Sequence, residues 1–343
     1  MGAVLLAALI GAYFVLWRVN IMPQKPDYFF YIPSGSSYAD VEANLQRSGM
    51  VRDMETFKMM AGWVGYAKQV KPGRYAIPAS GLSNYDLLSR LRRGLQTPLQ
   101  LTFAATRTTQ DLCKHMGKQL ELPADSFQAV LDDEAYVQSL GFTPETVMAM
   151  FLPNSYEVYW NIKPRMLMKR MRQEYLNYWN DTRKAKAKQL NLTPMQVSIL
   201  ASIVEAETYR DDERARIAGV YLNRLRRGMH LQADPTVIFA NRDFTIRRVL
   251  NRHLQIDSPY NTYKYTGLPP GPINCPSRAS LEAVLDAENH AYIYFVAKAD
   301  FSGYHSFAQT LAQHEQNANQ YRMELSRQQR IAAQRAAAKA AGK

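Results

Sequence analysis

Cysteine is nearly absent from this chain. Cys113 and Cys275 are the only two and lie far apart, too few for a disulfide framework or a cysteine-built metal site. Histidine is sparse as well. His305 and His314 stand nine apart, with no H-E-x-x-H or Cys/His pattern around them, so no metal is expected. A G-x-S-x-G elbow and a phosphate-cradling glycine loop are also missing, which removes the serine hydrolases and nucleotide enzymes that depend on them. No internal repeat is visible. Acidic residues are under-represented, 30 against 42 lysines and arginines, for a net charge of +12. Such a balance suits an anionic partner. Part of the excess, however, sits in the closing "RQQRIAAQRAAAKAAGK", read as a solvated basic helical tail over 326–343. Elsewhere basic and acidic residues are mixed and no aromatic-basic RNP block appears, so a nucleic-acid partner is not expected.

What the chain does have is apolar content, 47% over 343 residues, enough for two or three folded units. The uncharged "GAVLLAALIGAYFVLW", 2–17, is followed by Arg18, and Val19, Ile21 and Met22 lengthen it. No basic n-region precedes the run and no small-x-small cleavage site follows it. It is therefore read as a retained membrane anchor over 1–22 rather than a signal peptide. No lysine or arginine stands before it, so the positive-inside rule gives no orientation.

After the anchor, "DYFFYIPSGSSYADVEANLQRSGMV" predicts a strand, a turn and a helix, "METFKMMAGWVGY" a second helix, "VKPGRYAIP" a turn into a strand, and "NYDLLSRLRRG" a third helix capped by Asn84. Together these make a small α+β module over 27–97. A connecting, mostly helical part is expected over 98–190 and a larger core over 191–325, giving an α+β fold class for the whole.

The stretch "ILASIVEAET", 199–208, places two carboxylates at the end of an apolar helix. Thr193, Pro194 and Gln196 form a capping box with proline at the first helical position, so the helix starts there. At about 100° per residue, Ser198, Ala201 and Ser202 fall within roughly 60° of Glu205, and Ile199, Leu200 and Ile203 lie on the far side. Small residues beside a carboxylate admit a chain segment or a ligand, and desolvation there raises the carboxyl pKa as a general acid requires. Glu205 is therefore the candidate catalyst. Glu207, about 160° round the wheel, is read chiefly as an anchor of the helix end through Arg210, Arg214 or nearby backbone, with substrate contact as the alternative.

Downstream, an amphipathic helix over 213–227 is followed by "LQADPTVIF". Asn223, Gln232 and Asp234 are polar among apolar neighbours and read either as structural hydrogen-bonders or as a sugar-binding rim. "SPYNTYKYTGLPPGPINCPS" stiffens a loop with prolines and offers Tyr260, Asn261, Thr262 and Tyr263. Its rings suit stacking on sugars and its amides suit hydroxyls, while a rigid structural corner is the other reading. His305 is read as a core-edge histidine in preference to a cleft hydrogen-bonder.

The succession "ILASIVEAET", "AGVYLNRLRRGMHLQADPTVIF", "YNTYKYTGLPPGPI" and "YIYFVAKADFSGYHSFAQTLAQHEQN" resembles the endolytic murein transglycosylases of bacteria, the YceG-like family. The 28–94 region more weakly resembles that family's LysM-like module. The resemblance implies a single-pass inner-membrane protein whose catalytic part lies outside the cytoplasm, alongside cell-wall synthases. It implies a peptidoglycan lyase that cuts glycan strands internally between N-acetylmuramic acid and N-acetylglucosamine, leaving 1,6-anhydro ends. Its acid corresponds to the first carboxylate of the V-E-x-E-T block, Glu205. One departure is "MAMFLPNSYEVYW", which keeps Phe151, Pro153 and Tyr156 but has Met148 and Ala149 where relatives carry an acid and a glycine. Ordinary glycosidases need two carboxylates. A lytic transglycosylase needs one, which protonates the bridging oxygen and then takes the proton of the sugar's 6-hydroxyl, and it requires no cofactor. Asp234 facing that acid would bring hydrolysis back into play. A non-catalytic wall-binding scaffold is the alternative reading.

Overall fold

The structure, a computed structural model, describes residues 1–341. Two compact units share the chain. The first holds Met1–Thr102, Lys114–Phe127 and Ser155–Met166, and the second holds Phe103–Cys113, Gln128–Asn154 and everything from Leu167 on. Secondary structure is mixed α+β, with the strands pairing two by two.

The first unit opens with helix α1 (Gly2–Leu16) and strand β1 (Val19–Ile21). Then come β2 (Tyr28–Ile32), α2 (Tyr38–Ser48), α3 (Met54–Trp63), β3 (Gly73–Ile77), β4 (Leu82–Ser83) and α4 (Asn84–Arg93). β2 and β3 pair antiparallel from Tyr28↔Ile77 to Ile32↔Gly73. Alternation sends Phe30, Ile32, Tyr75 and Ile77 into a core shared with Val41, Leu45, Phe57 and Leu87. Ser37 and Asp40 form a capping box on α2, which stops at Gly49 with φ 63°, a left-handed conformation that suits glycine. The cap of α4 is Ser83, not Asn84. Asn84 is fully buried one position later, where its Nδ2 donates to the Val15 carbonyl at 2.8 Å.

The expected membrane span is corrected here, and with it the single-pass inner-membrane localisation. No helix among the described residues is long and apolar enough to cross a membrane. α1 has 15 residues, about 22 Å at 1.5 Å each against roughly 30 Å of hydrocarbon. The residues counted on to lengthen it are used otherwise. Val19 and Ile21 pair with β4, and Ile21 is completely buried in the first unit's core. Asn20 between them is fastened to Asp53 through two 2.8 Å bonds, and to the Asn84 side chain at 2.8 Å.

Next in chain order are β5 (Leu99–Phe103), α5 (Thr109–Gln119), α6 (Ala124–Leu131), α7 (Glu134–Ser139), β6 (Asn154–Val158), α8 (Pro164–Tyr178) and α9 (Asp181–Gln189). β5 pairs with β6. The rest of the second unit is α10 (Pro194–Glu207), α11 (Asp211–Arg226), α12 (Asp234–Asn241), α13 (Arg278–Leu285), the hairpin β7 (Tyr294–Ala297) and β8 (His305–Ala308), and α14 (Leu311–Ala341). α10 begins with the Thr193–Gln196 capping box and proline in its first turn. Val197 through Val204 are all buried, so this helix is enclosed on every side. The small residues Ser198, Ala201 and Ser202 let other chain segments close in. The Ser202 hydroxyl accepts from the Ile273 N–H at 3.0 Å, and Asn274 Nδ2 donates to the Ser202 carbonyl at 2.8 Å. Gly219 on α11 serves the same purpose, since a Cβ there would stand 2.5 Å from the Glu288 carbonyl oxygen.

Candidate active site

The two glutamates that close α10 occupy different surroundings. Glu205 faces α13. Its Oε2 accepts from the Ser277 N–H at 3.2 Å, from the Ser280 hydroxyl at 2.6 Å and from the Ser277 hydroxyl, while Oε1 meets Arg214 Nη2 at 3.4 Å. Ser277 is the N-cap of α13, so the carboxylate sits at the positive end of that helix. With both oxygens engaged, Glu205 ties α10, α11 and the start of α13 together.

Glu207 is the last residue of α10 and points into a cleft of about 420 Å3 in the second unit. Tyr221 and Arg224 of α11, the stretch carrying Gln232 and Asp234, Tyr263, β7, His305 and His314 line it. The Tyr221 hydroxyl donates to Glu207 Oε1 at 2.6 Å. Burial, reinforced by the negative charge of Asp234, raises the Glu207 carboxyl to about 7, although the Tyr221 bond and the Arg224 charge pull the other way. This is a carboxyl group that carries its proton near neutrality and is open to a ligand.

The walls are firmly held. Arg224 is almost wholly buried. Its Nε donates to the Ile293 carbonyl at 2.6 Å, its Nη1 donates to the Leu231 carbonyl at 2.8 Å and to Gln232 Oε1 at 3.3 Å, and its cation lies over the Tyr294 ring. Gln232 is exposed in the cleft with φ 51°, a left-handed conformation unusual for a side-chain-bearing residue. A 3.0 Å bond from its N–H to the Thr262 carbonyl keeps it there. Tyr263 donates its hydroxyl to Asp234 Oδ1 at 2.6 Å. His305 is aimed by buried Glu213, whose oxygens take the His305 N–H at 3.0 Å and pair with Nδ1 at 2.9 Å.

The family model described as YceG-like matches residues 30–320. The chain belongs to the YceG-like family. A Bacillus subtilis (strain 168) protein named endolytic murein transglycosylase is 29% identical over 338 residues, covering 91% of each chain. A Streptococcus pneumoniae (strain ATCC BAA-255 / R6) protein of the same name is 28% identical over 84% of this chain, which spans 57% of that protein's length. A crystal structure titled as a yceG-like protein from Listeria monocytogenes superposes with a TM-score of 0.57 at 26% identity, covering 85% of this chain and 99% of that one.

Within this YceG-like chain, the cleft gathers Glu207, Gln232, Asp234 and Tyr263 from among the residues picked out in the sequence. The others lie elsewhere. Asn223 donates to the His290 and Tyr292 carbonyls, and fully buried Asn261 to those of Leu254 and Ile256. Thr262 holds the Ala233 N–H at 3.0 Å and the Thr236 hydroxyl at 2.8 Å. Tyr260 lines a different groove. Tyr221, Arg224, Tyr294 and Phe295 were not picked out as site residues. Arg224 carried a signal, an arginine three positions from Tyr221 on the apolar side of an amphipathic helix.

Proposed function

We propose that Glu207 is the acid of a peptidoglycan lytic transglycosylase. The chain is a lyase of the endolytic murein transglycosylase kind, consistent with its YceG-like membership and with relatives of that name along most of its length. The observation that carries the residue assignment is a partly buried carboxyl, raised to about 7, lining a polar and aromatic cleft. In this reading Glu207 gives its proton to the oxygen bridging N-acetylmuramic acid and N-acetylglucosamine. As carboxylate it then removes the proton of the muramyl 6-hydroxyl, which closes on C1 and leaves a 1,6-anhydro end. Tyr221 steadies the carboxylate through the acid-to-base change. Asp234, held by Tyr263, supplies negative charge opposite the developing oxocarbenium, and the partly exposed Phe295 ring offers apolar surface for sugar. Glu205 has a positioning role, and the acid moves two residues along the helix from the residue the sequence favoured.

The test is mass spectrometry of purified sacculi digested with wild type, Glu207→Gln and Glu205→Gln. Anhydro-ended fragments from wild type and from Glu205→Gln, with none from Glu207→Gln, support the assignment. Loss only in Glu205→Gln overturns it. Reducing ends in place of anhydro ends would mean that Asp234 directs a water molecule and that the enzyme hydrolyses.

A further inference from the structure

A second groove, of about 760 Å3, opens in the same unit and shares no lining residue with the Glu207 cleft. Two guanidinium groups face it. Arg242 stands just past the end of α12 at φ 55°, with its cation 4.2 Å from the centre of the Phe239 ring. Arg107 lies 5.5 Å from the Phe244 ring centre. Both arginines are exposed, and among the described residues neither is engaged by a carboxylate. Each is placed by stacking on an aromatic ring, so its hydrogen-bonding edge stays available.

The opposite charge is present once. Glu145 lines the groove, and a 2.7 Å bond from the Thr143 hydroxyl favours its ionised form. The floor is rigid: the loop Pro270–Gly271–Pro272 presses so closely on this wall that a Cβ at Gly271 would lie 1.9 Å from the Glu145 carbonyl oxygen. Tyr260 completes it, its ring 4.8 Å from that of Phe239 and its hydroxyl pushed to about 12 by burial. Groove and cleft lie at the two ends of one helix. α12 begins at Asp234 in the cleft and carries Phe239 in the groove, so its eight residues span about 12 Å. Four extended peptide residues reach about as far.

We propose that this groove binds the peptide arm of the glycan substrate, an acidic oligopeptide with a free amino group. Its carboxylates meet Arg107 and Arg242, its ammonium meets Glu145, and its backbone lies on Tyr260 and the proline loop. The inference rests on the murein reading above, in which a sugar seated at Glu207 carries its peptide as a side branch.

The experiment compares the full chain with the Arg107→Gln/Arg242→Gln double variant on two substrates, glycan strands bearing their peptides and strands stripped of them by an amidase. Wild type should cut the peptide-bearing strands with the lower KM. The double variant should lose roughly tenfold on them, since exposed guanidinium–carboxylate contacts are individually modest, and nothing on stripped strands. Equal effects on both substrates, or none on either, overturn the proposal. If wild type cuts neither substrate, the transglycosylase reading fails by itself. Titration of the chain with the released peptide then decides the groove: saturable binding lost in the double variant supports it, and absence of binding overturns it.

Discussion

The Tyr221 hydroxyl donates a 2.6 Å hydrogen bond to Glu207, joining the middle of α11 to the last residue of α10. The bond favours the ionised carboxylate, while burial and the Asp234 charge oppose it and prevail, leaving the group at about 7. The proton affinity of the proposed acid is therefore set by its burial together with Tyr221 and Arg224 of α11 and Asp234 of α12.

Activity should follow that proton. If Glu207 must be protonated in the free enzyme, kcat/KM on glycan strands stays level below pH 7 and falls about tenfold per unit well above it. Tyr221→Phe removes an interaction that stabilises the carboxylate, so the alkaline limb should move to higher pH. A limb that stays in place, or moves down, argues against Glu207 as the titrating acid.

Stability should follow the same group in the opposite sense to an ordinary carboxylate. Its pKa is raised on folding, so its favourable contribution is full below the unfolded value near 4.5 and is lost as pH rises through about 7. Glu207→Gln should then be more stable than wild type at pH 8, by on the order of 1–3 kcal/mol, and should show no such gain at pH 4. Urea unfolding at the two pH values measures this.

Substitution at Glu205 should instead destabilise the fold. Substituting glutamine removes one of the two charge partners of Arg214, whose side chain is only 9% exposed and which keeps Asp211 at 3.1 Å, and weakens the anchoring of α13. A loss of about 1–3 kcal/mol is expected, with a lowered Tm. Anhydro-product formation measured well below that Tm should survive. A stable but inactive Glu205→Gln would return the catalytic role to Glu205.

Much of this was legible in local patterns. The capping box at Thr193, the helix carrying Tyr221, and the closeness of another segment to the Ser198–Ala201–Ser202 stripe all follow from spacing alone, because helix starts and faces are set within a few residues. What the stripe admits is the chain itself, at Ile273 and Asn274, both of which bond to Ser202. The wheel had no means of seeing the cleft around Glu207. Its walls come from Asp234, Tyr263, β7 and His305, far along the sequence, and a periodicity count treats the helix as an isolated cylinder. The apolar start misled for a similar reason, since hydropathy counts Val19 and Ile21 as span while the pairing of β1 with β4 makes them part of the first unit.

His305 and Glu213 offer the last test, because here position and chemistry can be separated. Glu213 is 4% exposed and accepts from both the backbone and the ring of His305, so the ring enters the cleft with its Nδ1 already committed. Glu213→Gln retains an acceptor for the backbone N–H but loses the charge that orients the imidazole, and should lower kcat/KM about tenfold or more while costing roughly 1–3 kcal/mol of stability. His305→Ala should lower kcat/KM at least as much while leaving the β7–β8 hairpin protected from amide exchange. Should His305→Ala retain full activity with the hairpin intact, the ring serves packing alone.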